Sequence, residues 1–272
     1  MEIKRLAKRW LPPILVDWYR TFKYGRPYQG YIWEGIYQKY RDVPRSGEGF
    51  DSEAWISTTY AYTEALLNSK SLGGTGEYAL LPFLISLERN HLGDLTILDL
   101  GGGMGIEYIH LTRSLPEGHL LQYYVVEGQR ICEAGSKLFA GDSRIHFCAT
   151  LPQDLPQVDI VYIRSALQYI EDYQGLISQL VEYQPQFFLF VDLAAGKNPT
   201  YATAQKNVRG SVIPYWFINV REILDLMADW GYKLIFQGLQ DRELDQSNFP
   251  EVYRLGHTCN LLFTRHWMNE ES

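Results

Sequence analysis

Cysteine is scarce, with only Cys132, Cys148 and Cys259 in 272 residues and no CxxC pair among them. Neither a disulfide-stapled fold nor a structural zinc site is therefore expected. Asp192 is followed by Leu193 rather than a second oxygen ligand, and no His/Asp/Glu set has ligand spacing, so no metal is expected either. Long apolar runs are also missing: none approaches the roughly 18 residues of a membrane-spanning helix, and the N-terminus lacks the apolar core of a secretory signal. The cytosol is the expected compartment. With 25 Lys+Arg against 32 Asp+Glu the net charge is −7, which would repel a polyanion, so nucleic acid is not an expected partner. Apolar content is ordinary at 46% hydrophobic against 21% charged, which excludes intrinsic disorder as the overall state. The length allows one large domain, or one domain with an extension.

Charge is unevenly spread. Residues 1–26 carry +5 and the remainder −12. Ile3, Leu6, Ala7, Trp10 and Leu11 fall on one helical face and Lys4, Arg5, Lys8 and Arg9 on the other, which reads as a basic amphipathic helix stopped by Pro12-Pro13. Bulky residues including Trp18 and Phe22 follow among further cations. Two readings stand equally: peripheral contact with anionic lipid at the inner membrane, or packing on the domain or on a second subunit of a homo-oligomer. Residues 27–50 read as an irregular connecting segment, and 53–69 and 77–90 as helices around the flexible loop 71–76. This divides the chain into a helical, aromatic-rich extension, 1–76, and a main domain, 77–272.

From residue 95 short β-rich runs alternate with helices. The runs are Thr96–Leu100, Gln122–Val126, Arg144–Cys148, Asp159–Ile163, Phe187–Val191, Lys233–Gln237 and Asn260–Thr264; Asp172–Tyr183 and Val220–Trp230 are amphipathic helices, the latter with Asn219 and Glu222 as a capping-box-like start. The pattern predicts an α/β fold: a Rossmann-like, seven-stranded, mostly parallel sheet with helices on both faces, plus the helical N-terminal extension.

Ile97-Leu98-Asp99-Leu100-Gly101-Gly102-Gly103-Met104-Gly105 is an apolar strand running into a glycine turn and then a helix. Glycine lets the backbone approach a ligand where open α/β sheets bind one. The dinucleotide fingerprint G-x-G-x-x-G counted from Gly101 and Gly103 would need glycine at 106, which is Ile106. The D-x-G-x-G-x-G arrangement resembles motif I of class I S-adenosylmethionine-dependent methyltransferases, which implies that the loop wraps the amino-acid tail of S-adenosylmethionine and that Asp99 orients the loop or the methionyl ammonium. Glu127 ends the next strand 22 residues after Gly105, near the offset at which nucleotide folds place a carboxylate on ribose hydroxyls. Solvated strand ends or caps are the plainer reading of both acids, weakened by their joint appearance around a glycine turn.

Val158–Ile170 resembles the fourth-strand motif of the same superfamily, whose loop, here beginning at Ser165, lies beside the methyl group. With Trp33–Tyr37, Val126-Glu127-Gly128-Gln129, Ser165–Asp172 and Pro214–Asn219 the resemblance narrows to a bacterial methyltransferase family associated with surface-polysaccharide gene regions. It covers residues 31–265 and implies cofactor contacts at Asp99, Gly101, Gly102, Gly103, Gly105, Glu127, Gly128 and Ser165. Methyl transfer to an O or N atom of a small-molecule or saccharide acceptor needs alignment and, for a hydroxyl or ammonium, a base. Tyr169 and Asp192, just after predicted strands, are the candidates; His110 and His146 fall inside elements and read as structural. Tyr60, Tyr62, Tyr201, Tyr215 and Trp216 are candidate acceptor contacts, with ordinary packing the commoner fate of any one of them. A nicotinamide-dependent oxidoreductase and a non-catalytic partner subunit are the rival readings.

Overall fold

The structure, a computed structural model, describes residues 31–69, 78–88, 95–115, 120–155, 157–206, 208 and 210–265. The basic segment 1–26 and the loop 71–76 lie outside the described residues. No helix among those described is long and apolar enough to cross a membrane.

The main sheet is built from β2 (Leu95–Leu100), β3 (Leu121–Val126), β4 (Ile145–Cys148), β5 (Ile160–Arg164), β6 (Phe187–Leu193), β10 (Tyr232–Glu243) and β11 (His257–Arg265), in the spatial order β10-β11-β6-β5-β2-β3-β4. β3 and β5 both run parallel to β2, β4 parallel to β3, and β6 parallel to β5; β11 runs antiparallel to β6 and β10. This is the expected Rossmann-like sheet. The chain reverses its direction of travel between β2 and β5, so the crevice at their carboxyl ends is where such a sheet accepts a ligand.

Alternating side chains sort the core into two layers. Leu95, Ile97, Tyr123, Val125, Ile160 and Tyr162 face α2 (Leu80–Glu88) and α3 (Ile106–Ser114). Leu98, Leu100, Val161, Ile163, Phe188 and Phe190 face α5 (Tyr173–Val181) and α6 (Val220–Asp229). Two-sided burial is why these strands read as nearly continuous apolar runs. Asn219 caps α6 by accepting from Arg221 N at 2.9 Å, but Glu222 does not close a capping box: its oxygens take Tyr173 OH and Thr200 Oγ1, at 2.8 and 2.6 Å.

A second sheet departs from expectation. β1 (Trp33–Tyr37), inside the segment expected to be irregular, pairs antiparallel with β8 (Tyr201–Gln205), which pairs with β9 (Ile213–Asn219); β7 (Ala195–Gly196) lies parallel to β9. This sheet joins residues from both sides of the boundary drawn at residue 76. Its apolar cluster of Trp33, Tyr201, Tyr215, Phe217 and Phe249 includes Ala194, and Ile218 N donates to Ala194 O at 2.8 Å, so the small sheet stands at the carboxyl end of β6. Burial of aromatic rings, rather than strand propensity, holds β1 in place: Trp33 meets Tyr215 and Phe217 at ring-centroid distances of 5.8 and 5.5 Å.

Candidate functional site

The glycine turn follows β2 directly. Gly101, Gly103 and Gly105 have φ of 70, 57 and 79°. Two positions explain why glycine is required. A Cβ on Gly102 would stand 2.1 Å from Asp99 Oδ2, whereas one on Gly103, strained by its positive φ, would meet no atom of the described residues within 4 Å. Gly102 lets the turn close on Asp99, and Gly103 presents bare backbone to open space.

Asp99 lies under the turn rather than in the crevice. It is fully buried; Oδ2 accepts from Tyr123 OH at 2.7 Å and Oδ1 has no hydrogen-bond partner among the described residues. Burial pushes its pKa up to about 8, against the lowering effect of Tyr123, so the group is largely neutral at pH 7. Of the two roles the resemblance implied, orienting the loop suits this placement; a buried neutral acid is no counter-ion for a methionyl ammonium.

Glu127, one residue beyond β3, reaches back to the turn. Its Oε1 accepts from Gly103 N at 3.3 Å and its Oε2 from Gly128 N at 2.8 Å, while burial raises its pKa. Gly128 is the N-cap of α4 (Gln129–Leu138). Above this corner the turn Gly49–Asp51 and α1 (Glu53–Leu67) form a roof. Phe50, Ile56 and Tyr60 pack on Met104, Ile131 and Ala134, and Arg130 ties the roof down through Asp51 O and, at 2.6 Å, Glu53 Oε2. Tyr60 thus packs on the cluster that includes Met104 of the glycine turn. Tyr62, two residues along the helix, is 54% exposed on another face.

Across the crevice, Ser165 and Asp192 follow or end adjacent parallel strands, β5 and β6, with φ of 51 and 52°. Ser165 Oγ donates to Asp192 Oδ2 at 3.0 Å, Thr258 Oγ1 donates to Asp192 Oδ1, and Asp192 N donates to Asn260 Oδ1 at 2.9 Å. Gln168 Nε2 donates to Ser165 Oγ at 3.2 Å and lies 3.5 Å from Asp192 O. Left-handed backbone at non-glycine residues costs about 1 kcal/mol or more and persists where its surroundings hold it. Here the surroundings are side chains from β11 and the turn after β5. Thr258, Asn260 and Gln168 were missed as site residues; the available signal was two polar residues at period two in the apolar strand β11.

Tyr169 does not suit a proton acceptor. Its hydroxyl donates to Gln205 Oε1 at 3.0 Å and burial pushes its pKa up to about 12. Its ring instead closes the crevice, edge-on to Phe50 at 4.9 Å and to Tyr215 at 5.1 Å. Tyr201 and Trp216 are core residues: Tyr201 is fully buried with its hydroxyl on Tyr253 O at 2.9 Å, and Trp216 stacks on Tyr40 while Nε1 donates to Ile170 O. Tyr215 lies in the aromatic cluster at 4% exposure. His146 sits in β4 with Nε2 2.8 Å from Gln122 Oε1, and His110 stacks on Tyr78. Sequence reasoning also passed over Arg164, which ends β5 beside Glu107 at 3.6 Å and over the Tyr78 ring at 4.1 Å.

No protein-family model matches this chain, and no curated protein does. Similar solved structures include the 1,6-didemethyltoxoflavin-N1-methyltransferase of Burkholderia thailandensis with bound 1,6-didemethyltoxoflavin and S-adenosylhomocysteine, at TM-score 0.49 and 10% identity over 79% of this chain and 86% of that one. The magnesium protoporphyrin IX methyltransferase of Synechocystis with bound S-adenosylhomocysteine aligns at 0.48 and 14% identity, covering 79% and 97%. An S-adenosylmethionine-dependent methyltransferase of Clostridium acetobutylicum aligns at 0.49 and 10%, covering 79% and 100%.

Proposed function

We propose that this protein is an S-adenosylmethionine-dependent methyltransferase acting on an O or N atom of a small-molecule or saccharide-type acceptor. The observation that carries this reading is the glycine turn tied to Glu127: Gly103 offers bare backbone to open space, and its N–H donates to a carboxylate at the end of the neighbouring strand. Such a corner fits a nucleoside with an amino-acid tail. Glu127 would take the ribose hydroxyls and Gly101–Gly103 would lie along the methionyl portion, reaching toward Ser165 and Asp192. A dinucleotide fits less well, because the fingerprint's third glycine is replaced by Ile106, the first residue of α3.

The cofactor would supply an electrophilic methyl group. The protein's part is alignment, exclusion of water under the roof of α1, and removal of a proton from a hydroxyl or ammonium acceptor. With Tyr169 held neutral, that proton falls to Asp192, which stands at the carboxyl end of β6. Tyr60, packed on the cluster that includes Met104, is the acceptor contact retained from the aromatic set.

Calorimetry tests the reading. S-adenosylhomocysteine should bind and NADH should not; binding of NADH alone would support an oxidoreductase. Binding of neither would leave the non-catalytic subunit as the surviving alternative.

A further inference from the structure

The Asp192 carboxylate is half-buried, and both of its oxygens are held by neutral hydroxyls, those of Ser165 and Thr258. Among the described residues no ion pair includes it. A charge withdrawn from water and supported by neutral donors favours a cation nearby. Gln168 points the same way. Its Nε2 faces Ser165 Oγ and Asp192 O, which fixes the amide's orientation, and its Oε1, in a side chain 1% exposed, has no donor among the described residues. Among those residues this corner is short of positive charge and of hydrogen-bond donors together.

Its position is set by the glycine turn. A Cβ on Gly101 would stand 2.3 Å from Ala166 Cβ, so the turn after β5 touches the turn after β2, and Ser165 connects that contact to Asp192 on the next strand. Resting on the methyltransferase reading above, we propose that Asp192 is the counter-charge for the cofactor's sulfonium, so that the site retains S-adenosylmethionine in preference to its neutral product. Thr258 and Asn260 are positioning residues: Thr258 holds the carboxylate and Asn260 the backbone N–H of Asp192.

The chemistry balances on that carboxylate. The carbon–sulfur bond breaks with its electron pair going to sulfur, the acceptor's lone pair forms the new bond to carbon, and the positive charge passes to the acceptor atom. The acceptor's proton then moves to Asp192. Sulfur and carboxyl both end neutral, and the attraction that retained the donor is gone when the product must leave.

The test is calorimetry of the full chain with S-adenosylmethionine and S-adenosylhomocysteine, in the wild type and in Asp192→Asn. Asparagine keeps the shape: one of the Ser165 and Thr258 hydroxyls can turn to accept from its amide nitrogen while the other still donates to its carbonyl oxygen. The wild type should favour S-adenosylmethionine; Asp192→Asn should weaken that ligand about fivefold or more while changing S-adenosylhomocysteine by no more than about twofold. Thr258→Val keeps the carboxylate but removes a donor and should narrow the same ratio by less, which keeps the test decisive if the asparagine variant fails to fold. An unchanged ratio, or equal weakening of both ligands as an ammonium contact would give, overturns the proposal. A wild type that binds neither ligand overturns the methyltransferase reading, and the proposal with it.

Discussion

At the end of β2 the chain turns on glycine; at the ends of β5 and β6 it turns, with φ within 20° of Gly101 and Gly103, on serine and aspartate. Glycine adopts this backbone without strain, while Ser165 and Asp192 each accept about 1 kcal/mol or more. The difference separates two ways of meeting a ligand. On the proposed methyltransferase reading, the backbone itself is the contact surface on the β2–β3 side, where side chains would obstruct it. On the same reading the β5–β6 side presents side chains, whose mutual hydrogen bonds offset the strain of holding them there.

The largest expected effect comes from adding a side chain to the first side. In Gly102→Ala the methyl would stand on Asp99 Oδ2, which is fully buried and cannot withdraw. The turn must move, at about 3 kcal/mol in unfolding free energy, with loss of S-adenosylhomocysteine binding. Wild-type affinity in this variant would break the contrast between the two sides. Next, Glu127→Ala removes the one side chain that works with the glycine backbone and should weaken S-adenosylhomocysteine by about 1.5–3 kcal/mol, read by calorimetry.

Asp99 gives the turn a pH dependence. An unfolded chain releases this proton near 3.8, whereas the folded protein keeps it up to about 8. The folded state therefore binds more protons across that window, and stability that is full below about pH 4 falls as pH rises toward 8. Asp99→Asn, which can still accept from Tyr123, should flatten the decline between pH 5 and pH 8, read by urea unfolding at each pH. Some slope should remain, because burial also raises Glu127 and Asp159. An unaltered slope would show that Asp99 is ionised beneath the turn. The smallest effect is Ser165→Gly, where relief of left-handed strain and loss of two hydrogen bonds oppose each other. Thermal stability should change by less than about 1 kcal/mol, while the preference for S-adenosylmethionine over S-adenosylhomocysteine narrows.

The same contrast governs what the sequence discloses. All seven strands of the main sheet were legible, the central ones because burial on both faces writes them as apolar runs: Phe187–Val191 falls inside Phe187–Leu193, and Gln122–Val126 inside Leu121–Val126. The glycine turn was legible because its conformation demands a residue type. Ser165 and Asp192 could be placed after strands, but nothing in their identity announces a left-handed backbone. The second sheet was illegible for another reason. Trp33-Glu34-Gly35-Ile36-Tyr37 and Tyr201-Ala202-Thr203-Ala204-Gln205 are weak strand formers apart, stabilised by aromatic packing between segments more than 160 residues distant. Tyr201 and Trp216 were candidate acceptor contacts because aromatic composition alone cannot separate a core ring from a binding ring.

That pairing also imposes an order on assembly. Trp33 lies opposite Gln205, so as the polypeptide emerges during synthesis β1 has no partner until 164 further residues have been made, counted from Tyr37 to Tyr201. The glycine turn, β3, β4 and β5 precede that moment and can form local contacts early, whereas β1 must wait. A ribosome-bound chain ending before residue 201 would leave Trp33 with neither Tyr215 nor Phe217 to cover it, an aromatic edge exposed to association until the last quarter of the protein arrives.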